Sequence, residues 1–358
     1  MKVCLLIGFQ YEINSDEISR HYNNLSFTLS DDISKSNRSN AELNKKNKEC
    51  VHEITPKICV KNTNPANDDK KHIFNELGVD GKKLFLPGII IDLYQAYKFC
   101  LAMCPDRILV ITDIIEDPPT RIIKDAIINE VVDGNILNFI ADIKTRGHYI
   151  CYTNLQSMIK TIQETIHLST DTLIYYTGHS KSNHLILPND AIAVNNLRII
   201  ILKSVIATAN IYLLFDCCYG VSFDLPFHLV DNRYTLTISD QQGNNNFTTQ
   251  RIISISSASE NENSGLTIIG SIFTRIIFKL LHNKFRNINR LIAEINRQSR
   301  LLFSQSSNFA QTASAYSSHP DAYFLSSWLF NNKENKISFD PIKNIMIITM
   351  PSDYKICT

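Results

Sequence analysis

A histidine and a cysteine each follow an apolar segment in the middle of the chain. His179 comes directly after DTLIYYTG, and Cys218 comes directly after IYLLFDC. A thiol is a weak nucleophile until it loses its proton, and a neighbouring imidazole can take that proton and later return it to a leaving group. These residue types predict a nucleophilic Cys–His pair if the fold brings them together. His184, in the polar loop that follows, is the rival base.

The chain between His179 and Cys218 predicts that their side chains meet. DTLIYY and IYLLF are typical of buried strands, and residues 195–207 have the apolar pattern of a helix. The 39 positions from His179 to Cys218 suffice for one β-α-β crossover, so the two strands are predicted to be parallel neighbours that end side by side. Gly178 and Gly220 permit close backbone approach, which makes the N–H groups of Gly178 and Cys218 candidates for an oxyanion hole.

Short apolar segments alternate with helical patterns along the rest of the chain. This alternation predicts an α/β fold with a mostly parallel sheet and helices on both faces. Residues 12–80 differ, because they are polar and rich in Asn, Ser and Lys, and they predict a long insertion. A small satellite structure around Ile54, Ile58 and Val60 is the alternative. The strands are predicted at 2–8, 107–112, 171–176, 211–215 and 252–257, with an edge strand at 345–350, and the helices at 88–104, 120–132 (Thr120 as N-cap), 154–167, 195–207, 265–281 and 288–302.

The composition excludes several classes of protein. The 358 residues are 44% hydrophobic and carry a net charge of +1, which indicates a folded chain and gives no electrostatic case for nucleic-acid or membrane partners. Nine cysteines, an odd number, favour a reducing compartment, and we expect a cytoplasmic protein. The apolar run GIIIDLYQAYKFCLAMC contains Asp92 and Lys98, which argues against a membrane span.

Several short segments, taken in order, resemble the metacaspases within the wider caspase fold family. YYTGHS and LLFDCCYG are similar to that family's YSGHG and D-x-C-x-G motifs, and LPGIIIDLYQAY resembles its L-x-G-C-x-x-D helix. KVCLLIG-x-x-Y resembles the opening strand, and SISSASENENSGLTIIGSIFT resembles the strand and G-x-F-T helix of the small subunit. The resemblance implies a caspase-like α/β fold, with large- and small-subunit-like halves in one domain.

The resemblance also implies roles for individual residues. His179 matches the general base, and Cys218 matches the nucleophile because it stands two residues after Asp216. Cys217, at the variable position between them, is interpreted as a structural thiol. The implied activity is that of a cysteine endopeptidase acting on protein or peptide substrates.

The resemblance assigns a substrate pocket as well. Asp92 and Asp216 match the two acidic residues of the metacaspase S1 pocket, and Thr177 stands where the family usually has Ser. Two carboxylates in one pocket favour a cationic side chain by charge complementarity. We therefore expect cleavage after Arg or Lys. A caspase proper, specific for Asp, is disfavoured because Asp216 has the wrong charge.

Departures from the family pattern keep a second function open. Ser180 replaces Gly after the histidine, and Tyr219 follows the cysteine, so a non-catalytic binding or decoy protein of the same fold is the alternative. No cofactor is expected to be required. Asp190 and Asp224 are weak calcium candidates, because a Ca²⁺ site needs six to eight oxygen ligands.

The resemblance divides the chain into four predicted parts. Residues 1–220 form a large-subunit-like part, 221–250 a polar linker, 251–318 a small-subunit-like part and 319–358 a C-terminal extension. Proteolytic processing, as in a zymogen, is expected within the linker, with Arg233 as the candidate basic site. A monomer is the state that the resemblance favours.

Overall fold

The computed structural model describes most of the chain outside the predicted insertion. The insertion at 12–80 lies outside the described residues, so neither of its two interpretations is tested. Within the described part, no helix is both long enough and apolar enough to cross a membrane. The described residues are 1–11, 85–230, 233–236, 248–259, 262–267, 269–283, 285–303, 311–322, 325, 327–330, 337–340 and 345–348.

A nine-stranded sheet forms the centre of the described structure. Its strands are β1 (Lys2–Gly8), β2 (Arg107–Thr112), β3 (Tyr149–Cys151), β4 (Asp171–Thr177), β8 (Asn210–Asp216), β9 (Phe227–Val230), β10 (Arg233–Leu236), β11 (Arg251–Ser256) and β14 (Ser314–Ser317). Their order in the sheet is β10-β9-β14-β11-β8-β4-β1-β2-β3. The six strands from β11 to β3 are parallel to one another, whereas β14, β9 and β10 add antiparallel pairs at one edge.

Seven α-helices of the described chain connect these strands and cover both faces of the sheet. The helices are α1 (Ile89–Met103), α2 (Thr120–Ile128), α3 (Phe139–Thr145), α4 (Leu155–Ile166), α5 (Val194–Ser204), α6 (Ile272–His282) and α7 (Ile288–Phe303). Side chains alternate along β1: Cys4 and Leu6 face one core, while Val3, Leu5 and Ile7 face the other. The first core contains α1, α2, α3, α6 and α7, and the second contains α4 and α5.

This architecture confirms the predicted fold class. β1, β4 and β8 are buried along almost their whole length, because helices cover both faces of a parallel sheet. β4 and β8 are parallel neighbours, as predicted, and α5 lies between them in sequence. The helix predicted at 154–167 begins where Asn154 accepts a hydrogen bond from the Ser157 N–H at 2.8 Å.

Small secondary elements surround the sheet. A three-stranded antiparallel sheet follows His179 directly, so the histidine lies at the junction of two sheets. A second small sheet precedes α6. The small sheets comprise β5 (Ser180–Lys181), β6 (His184–Ile186) and β7 (Ala191–Ala193), then β12 (Leu266–Thr267) and β13 (Gly270–Ser271), then β15 (Ile337–Asp340) and β16 (Ile345–Ile348).

Four sequence predictions about individual elements were wrong. The helix predicted at 265–281 begins only at Ile272, because β12 and β13 occupy the start of that segment. Thr120 is the first helical residue of α2 and Pro119 is its N-cap, while the helix ends at Ile128 rather than at 132. The segment 345–350 does not border the main sheet, because β16 pairs with β15 instead. The polar segment 221–250 contributes β9 and β10 to the main sheet.

The pairing of β9 with β10 bears on the predicted processing site. Arg233 is the first residue of β10 and pairs with Val230 of β9. Cleavage at Arg233 would require this hairpin to open, because a protease needs an unpaired, exposed segment.

Candidate active site

The ends of β4 and β8 bring the predicted histidine and cysteine to one edge of the sheet. Thr177 and Asp216 are register partners in the parallel pair, and each is the last residue of its strand. His179 and Cys218 each follow that pair by two residues. The hydroxyl of Ser180 donates a hydrogen bond to the carbonyl oxygen of Cys218 and so joins the two strand ends beyond the sheet.

Two tyrosine hydroxyls hold the backbone of His179. The His179 N–H donates to Oη of Tyr11 at 2.8 Å, and Tyr176 Oη donates to the His179 carbonyl oxygen at 2.7 Å. Tyr11 Oη also donates to the carbonyl of Ile186 at 2.7 Å. The ring of Tyr11 lies against the imidazole, with ring centroids 5.0 Å apart. Both tyrosines are buried, so this clamp fixes the position from which the imidazole extends.

Gly178 makes room for the tyrosine clamp. A Cβ at this position would lie 2.9 Å from Oη of both Tyr11 and Tyr176. Real Cβ atoms do not approach so closely, so a side chain here would displace the hydroxyls that bind His179. This close approach is the physical reason for a glycine immediately before the histidine.

Cys218 is half-buried beneath the segment that precedes β12. Its Sγ accepts a hydrogen bond from the Ser264 N–H at 3.4 Å. Burial raises the pKa of the Cys218 thiol, and the charge of Asp216 raises it further, against the lowering effect of the Ser264 N–H. Tyr219 has a left-handed φ of 61°, and its N–H donates to the Glu262 carbonyl at 2.7 Å. In this conformation, burial therefore favours the protonated form of the thiol.

Cys217 extends into the core that also holds Tyr11 and Tyr176, beside Ser180. It is buried in the core that contains α4 and α5. Its N–H donates to Oγ of Ser257 at 3.1 Å, and burial raises the pKa of its thiol. This environment is that of a structural thiol.

The two carboxylates predicted to line the pocket lie close enough to interact electrostatically. Asp92 is 0% exposed and Asp216 is 4% exposed. Burial raises the pKa of both carboxyls, and the charge of Asp216 raises the pKa of Asp92 further. The fold therefore brings Asp92, from α1, to the end of β8, although 124 positions separate the two residues in the sequence.

Hydroxyls and backbone amides bind these carboxylates. Asp216 accepts from Oγ of Ser264 at 2.8 Å and from Oγ1 of Thr274 at 2.5 Å. Asp92 accepts from the Ser271 N–H at 2.8 Å and from Oγ1 of Thr177 at 3.5 Å. Thr177, predicted to border the pocket, thus contacts one of its two acids directly.

Gly270 permits the approach of Asp92 to the first turn of α6. Its φ is +93°, and a Cβ there would lie 2.7 Å from Oδ1 of Asp92. Arg275, on α6, interacts electrostatically with Asp92 and lowers the pKa of that carboxyl, but burial outweighs this effect. The acid pair is therefore closed off from solvent in this conformation.

The predicted oxyanion hole requires a correction. The Gly178 N–H donates to the Asp216 carbonyl oxygen at 3.2 Å, which continues the ladder between β4 and β8. An N–H that is engaged in the sheet is not directed at a substrate oxygen, so the prediction for Gly178 was wrong. The N–H of Cys218 remains the candidate donor from that prediction.

The weak calcium candidates each accept a hydrogen bond from the protein. Asp224 accepts from Nδ2 of Asn183 at 3.3 Å, and Oδ1 of Asp190 accepts from the Ala191 N–H at 2.8 Å. Across the described ranges, no group of three or more His, Cys, Asp or Glu residues is placed to hold a metal ion. The assignment of Asp190 and Asp224 to calcium stays a prediction.

The sequence did not predict several residues of the site. Tyr11, just beyond β1, and Tyr176, on β4 three residues before His179, bind the histidine backbone. Ser264, Ser271 and Thr274 bind the acid pair. Both tyrosines lie in segments that resemble the family motifs, KVCLLIG-x-x-Y and YYTGHS. The sequence alone, however, does not show which groups their hydroxyls bind. The rival base His184 directs Nδ1 to the Ser182 carbonyl at 2.8 Å, on the small sheet.

Comparison with known proteins gives only distant structural likeness. Neither a family model nor a curated protein matches this chain. Caspase-1 from Spodoptera frugiperda is similar in structure, with a TM-score of 0.39 and 13% identity over 64% of this chain and 80% of that one. The protein GSU0716 from Geobacter sulfurreducens is similar with a TM-score of 0.34 and 12% identity, over 54% of this chain and 87% of that one. Likeness this distant carries no information on activity.

Proposed function

We propose that this chain is a caspase-like cysteine endopeptidase that cleaves peptide bonds after Arg or Lys. The observation that carries the proposal is the register of Thr177 with Asp216. His179 and Cys218 each lie two residues beyond this register pair, and Ser264 contacts both Cys218 and Asp216. The resemblance of YYTGHS and LLFDCCYG to the metacaspase motifs supports the same assignment.

The proposed reaction uses the Cys–His pair in two stages. Sγ of Cys218 attacks the scissile carbonyl carbon as its proton passes to His179, and the tetrahedral intermediate places its negative oxygen near the Cys218 N–H. His179 then protonates the leaving amine, and the C–N bond breaks to leave a thioester on Cys218. Water, deprotonated by His179, attacks that thioester and releases the carboxylic acid and the thiol.

The tyrosine clamp supports this role for His179. Both backbone polar groups of the histidine are bound by hydroxyls of buried side chains. A general base must stay within hydrogen-bond reach of the proton that it removes. Tyr11 and Tyr176 are therefore proposed as positioning residues for His179.

The acid pair is the proposed site for the basic side chain of the substrate. A guanidinium or ammonium group that reaches Asp92 and Asp216 restores their charged forms, because an opposite charge at close range lowers a carboxyl pKa. Both acids are closed off by Ser264 and α6 in the described conformation. Substrate binding is therefore proposed to shift the segment 262–265 away from Asp216.

Peptide hydrolysis tests this specificity. Fluorogenic peptides with Arg, Lys or Asp before the scissile bond are compared, with Asp92→Asn beside the wild type. We expect Arg and Lys peptides to be cleaved and the Asp peptide to be refused. Asp92→Asn is expected to lower kcat/KM for the Arg peptide by about tenfold or more, the effect of losing a charged hydrogen bond. Preferential cleavage after Asp contradicts the proposal.

The raised pKa of Cys218 favours the second candidate, a non-catalytic binding or decoy protein of the same fold. Alkylation by iodoacetamide, followed by peptide mapping, separates the two. Cys104 is exposed and serves as the internal reference. An Arg-chloromethyl ketone modifies Cys218 far faster than Cys104 if the site recognises an Arg side chain and activates the thiol. Slow modification of Cys218 by both reagents supports the non-catalytic protein.

A further inference from the structure

A cavity of about 310 Å³ lies among α1, α6 and α7, apart from the Cys–His pair. Gln95 and Lys98 line it from α1, Arg275 and Lys279 from α6, and Leu301 from the end of α7. Its volume is within the range of pockets that bind small molecules. None of the residues assigned to the proposed reaction lines it.

The polar wall of this cavity is cationic. The acid there, Asp133, is already bound by Lys98 and by the hydroxyl of Tyr94. Arg275 and Lys279 stand four positions apart on α6, where side chains of a helix are neighbours. Burial and the charge of Arg275 lower the pKa of Lys279. Two like charges held together in a partly buried wall are stabilised by an anion between them.

The remaining wall and the rim are apolar. Ile276 and Phe278 are buried beside the cations on α6. Leu301 and Leu302 are 61% and 55% exposed at the end of α7. A ligand that carries a charged head on an apolar body would contact both parts of the cavity.

We propose that this cavity binds a small organic anion, with its charged head on Arg275 and Lys279 and its apolar body against Leu301 and Leu302. Phosphate, sulfonate and carboxylate heads share the chemistry that Arg and Lys bind. The proposal concerns a second site, so the binding itself does not depend on peptidase activity.

Two of the three helices that line the cavity also contact the acid pair: α1 carries Asp92, and α6 donates a hydrogen bond to Asp216. Asp92 lies three residues before Gln95 on α1, and Thr274, which binds Asp216, immediately precedes Arg275 on α6. Arg275 favours the charged form of Asp92. An anion bound to Arg275 would weaken the stabilisation of charged Asp92. If the proposed function holds, such an anion raises KM for Arg peptides with little change in kcat.

Isothermal titration calorimetry tests the site, with phenyl phosphate as the probe and benzyl alcohol as its uncharged counterpart. We expect phenyl phosphate to bind at one site and benzyl alcohol to bind at least about tenfold more weakly. Lys279→Gln is expected to weaken phenyl phosphate about tenfold. Arg290→Gln, an exposed cation of α7 outside the cavity, is the matched control and should bind like the wild type.

Each result of this experiment decides one claim. Failure of phenyl phosphate to bind, equal binding of benzyl alcohol, or equal loss in Lys279→Gln and Arg290→Gln overturns the site. Because the calorimetry needs no turnover, an inactive protein that binds phenyl phosphate contradicts the proposed function alone. An active protein that binds phenyl phosphate with unchanged KM contradicts only the connection to Asp92.

Discussion

The backbone N–H of Ser264 donates to Sγ of Cys218 at 3.4 Å, while the hydroxyl of the same residue donates to Asp216 at 2.8 Å. One residue thus contacts both the proposed nucleophile and the proposed specificity acid. The segment around Ser264 follows β11 and precedes α6, the helix that also binds Asp216. A shift of this segment therefore exposes the thiol and the acid pair together.

Loss of the Ser264 hydroxyl is expected to affect substrate binding in a pH-dependent way. This hydroxyl stabilises charged Asp216, so Ser264→Ala raises the pKa of that carboxyl. The acidic limb of the kcat/KM profile for an Arg peptide then moves to higher pH. Ser259→Ala is the control, because its hydroxyl contacts Thr312 and Ser314 instead. Equal profiles for both variants would refute the role of Ser264.

The buried acid Asp92 is expected to reduce stability as pH rises. Burial raises its folded-state pKa above the ordinary value of about 3.9, so the native state holds its proton where the unfolded state has lost it. Above pH 4, the free energy of unfolding therefore decreases with pH until Asp92 ionises in the folded state. Asp92→Asn removes this pH-dependent loss of stability. The Tm of Asp92→Asn minus the Tm of the wild type should therefore be larger at pH 7.5 than at pH 4.5.

An exposed acid provides the control for this measurement. Asp321 is exposed in the described structure, and Asp321→Asn should keep the same Tm difference from wild type at both pH values. If Asp92→Asn shows no change in its Tm difference with pH, Asp92 is not held in its protonated form.

The tyrosine clamp is expected to matter for turnover rather than for substrate binding. Tyr11→Phe leaves the His179 N–H without its acceptor and should lower kcat about tenfold with KM nearly unchanged, besides costing about 1–3 kcal/mol of stability. Tyr97→Phe is the matched control, since the hydroxyl of Tyr97 contacts a different histidine, His148, at 2.9 Å. A similar kcat for the two folded variants would exclude a positioning role for Tyr11.

Gly178 offers a test of the close approach that permits this clamp. Gly178→Ala puts a methyl group against two buried hydroxyls and should lower the free energy of unfolding by about 1–3 kcal/mol. Gly134→Ala has open space at the corresponding position and should change it by about 0.5 kcal/mol or less. Denaturant titration of both variants gives the comparison, and equal costs would show that the contact at Gly178 is unimportant.

Local patterns in the sequence predicted five of the nine strands of the main sheet, whereas β3, β9, β10 and β14 were not predicted. Alternating apolar strands and helices, with a crossover of suitable length, predicted that β4 and β8 are parallel neighbours. The strands β9 and β10 were missed because their sequence, FHLV followed by RYTL, lies in a polar region without clear alternation. The position of β9 in the sheet depends on its antiparallel pairing with β14, which is distant in sequence, and β10 pairs with β9.

The site was only partly predictable for the same reason. The resemblance, rather than any spacing, assigned Asp92 and Asp216 to one pocket. The bond from His179 to Tyr11 spans 168 positions, and no local periodicity reports such a contact. The Gly178 N–H was misassigned because the strand ladder extends one residue beyond Thr177, which only the register of the two strands reveals.

Substitution of the two neighbouring cysteines tests the central claim most directly. Cys218 lies at the site, and Cys217 is buried in the core that contains α4 and α5. Hydrolysis of an Arg peptide is measured for the wild type, Cys218→Ala and Cys217→Ala, with folding checked by thermal unfolding. We predict that Cys218→Ala abolishes turnover and that Cys217→Ala retains it. Turnover that survives in Cys218→Ala, or is absent from the folded wild type, would contradict the proposed peptidase.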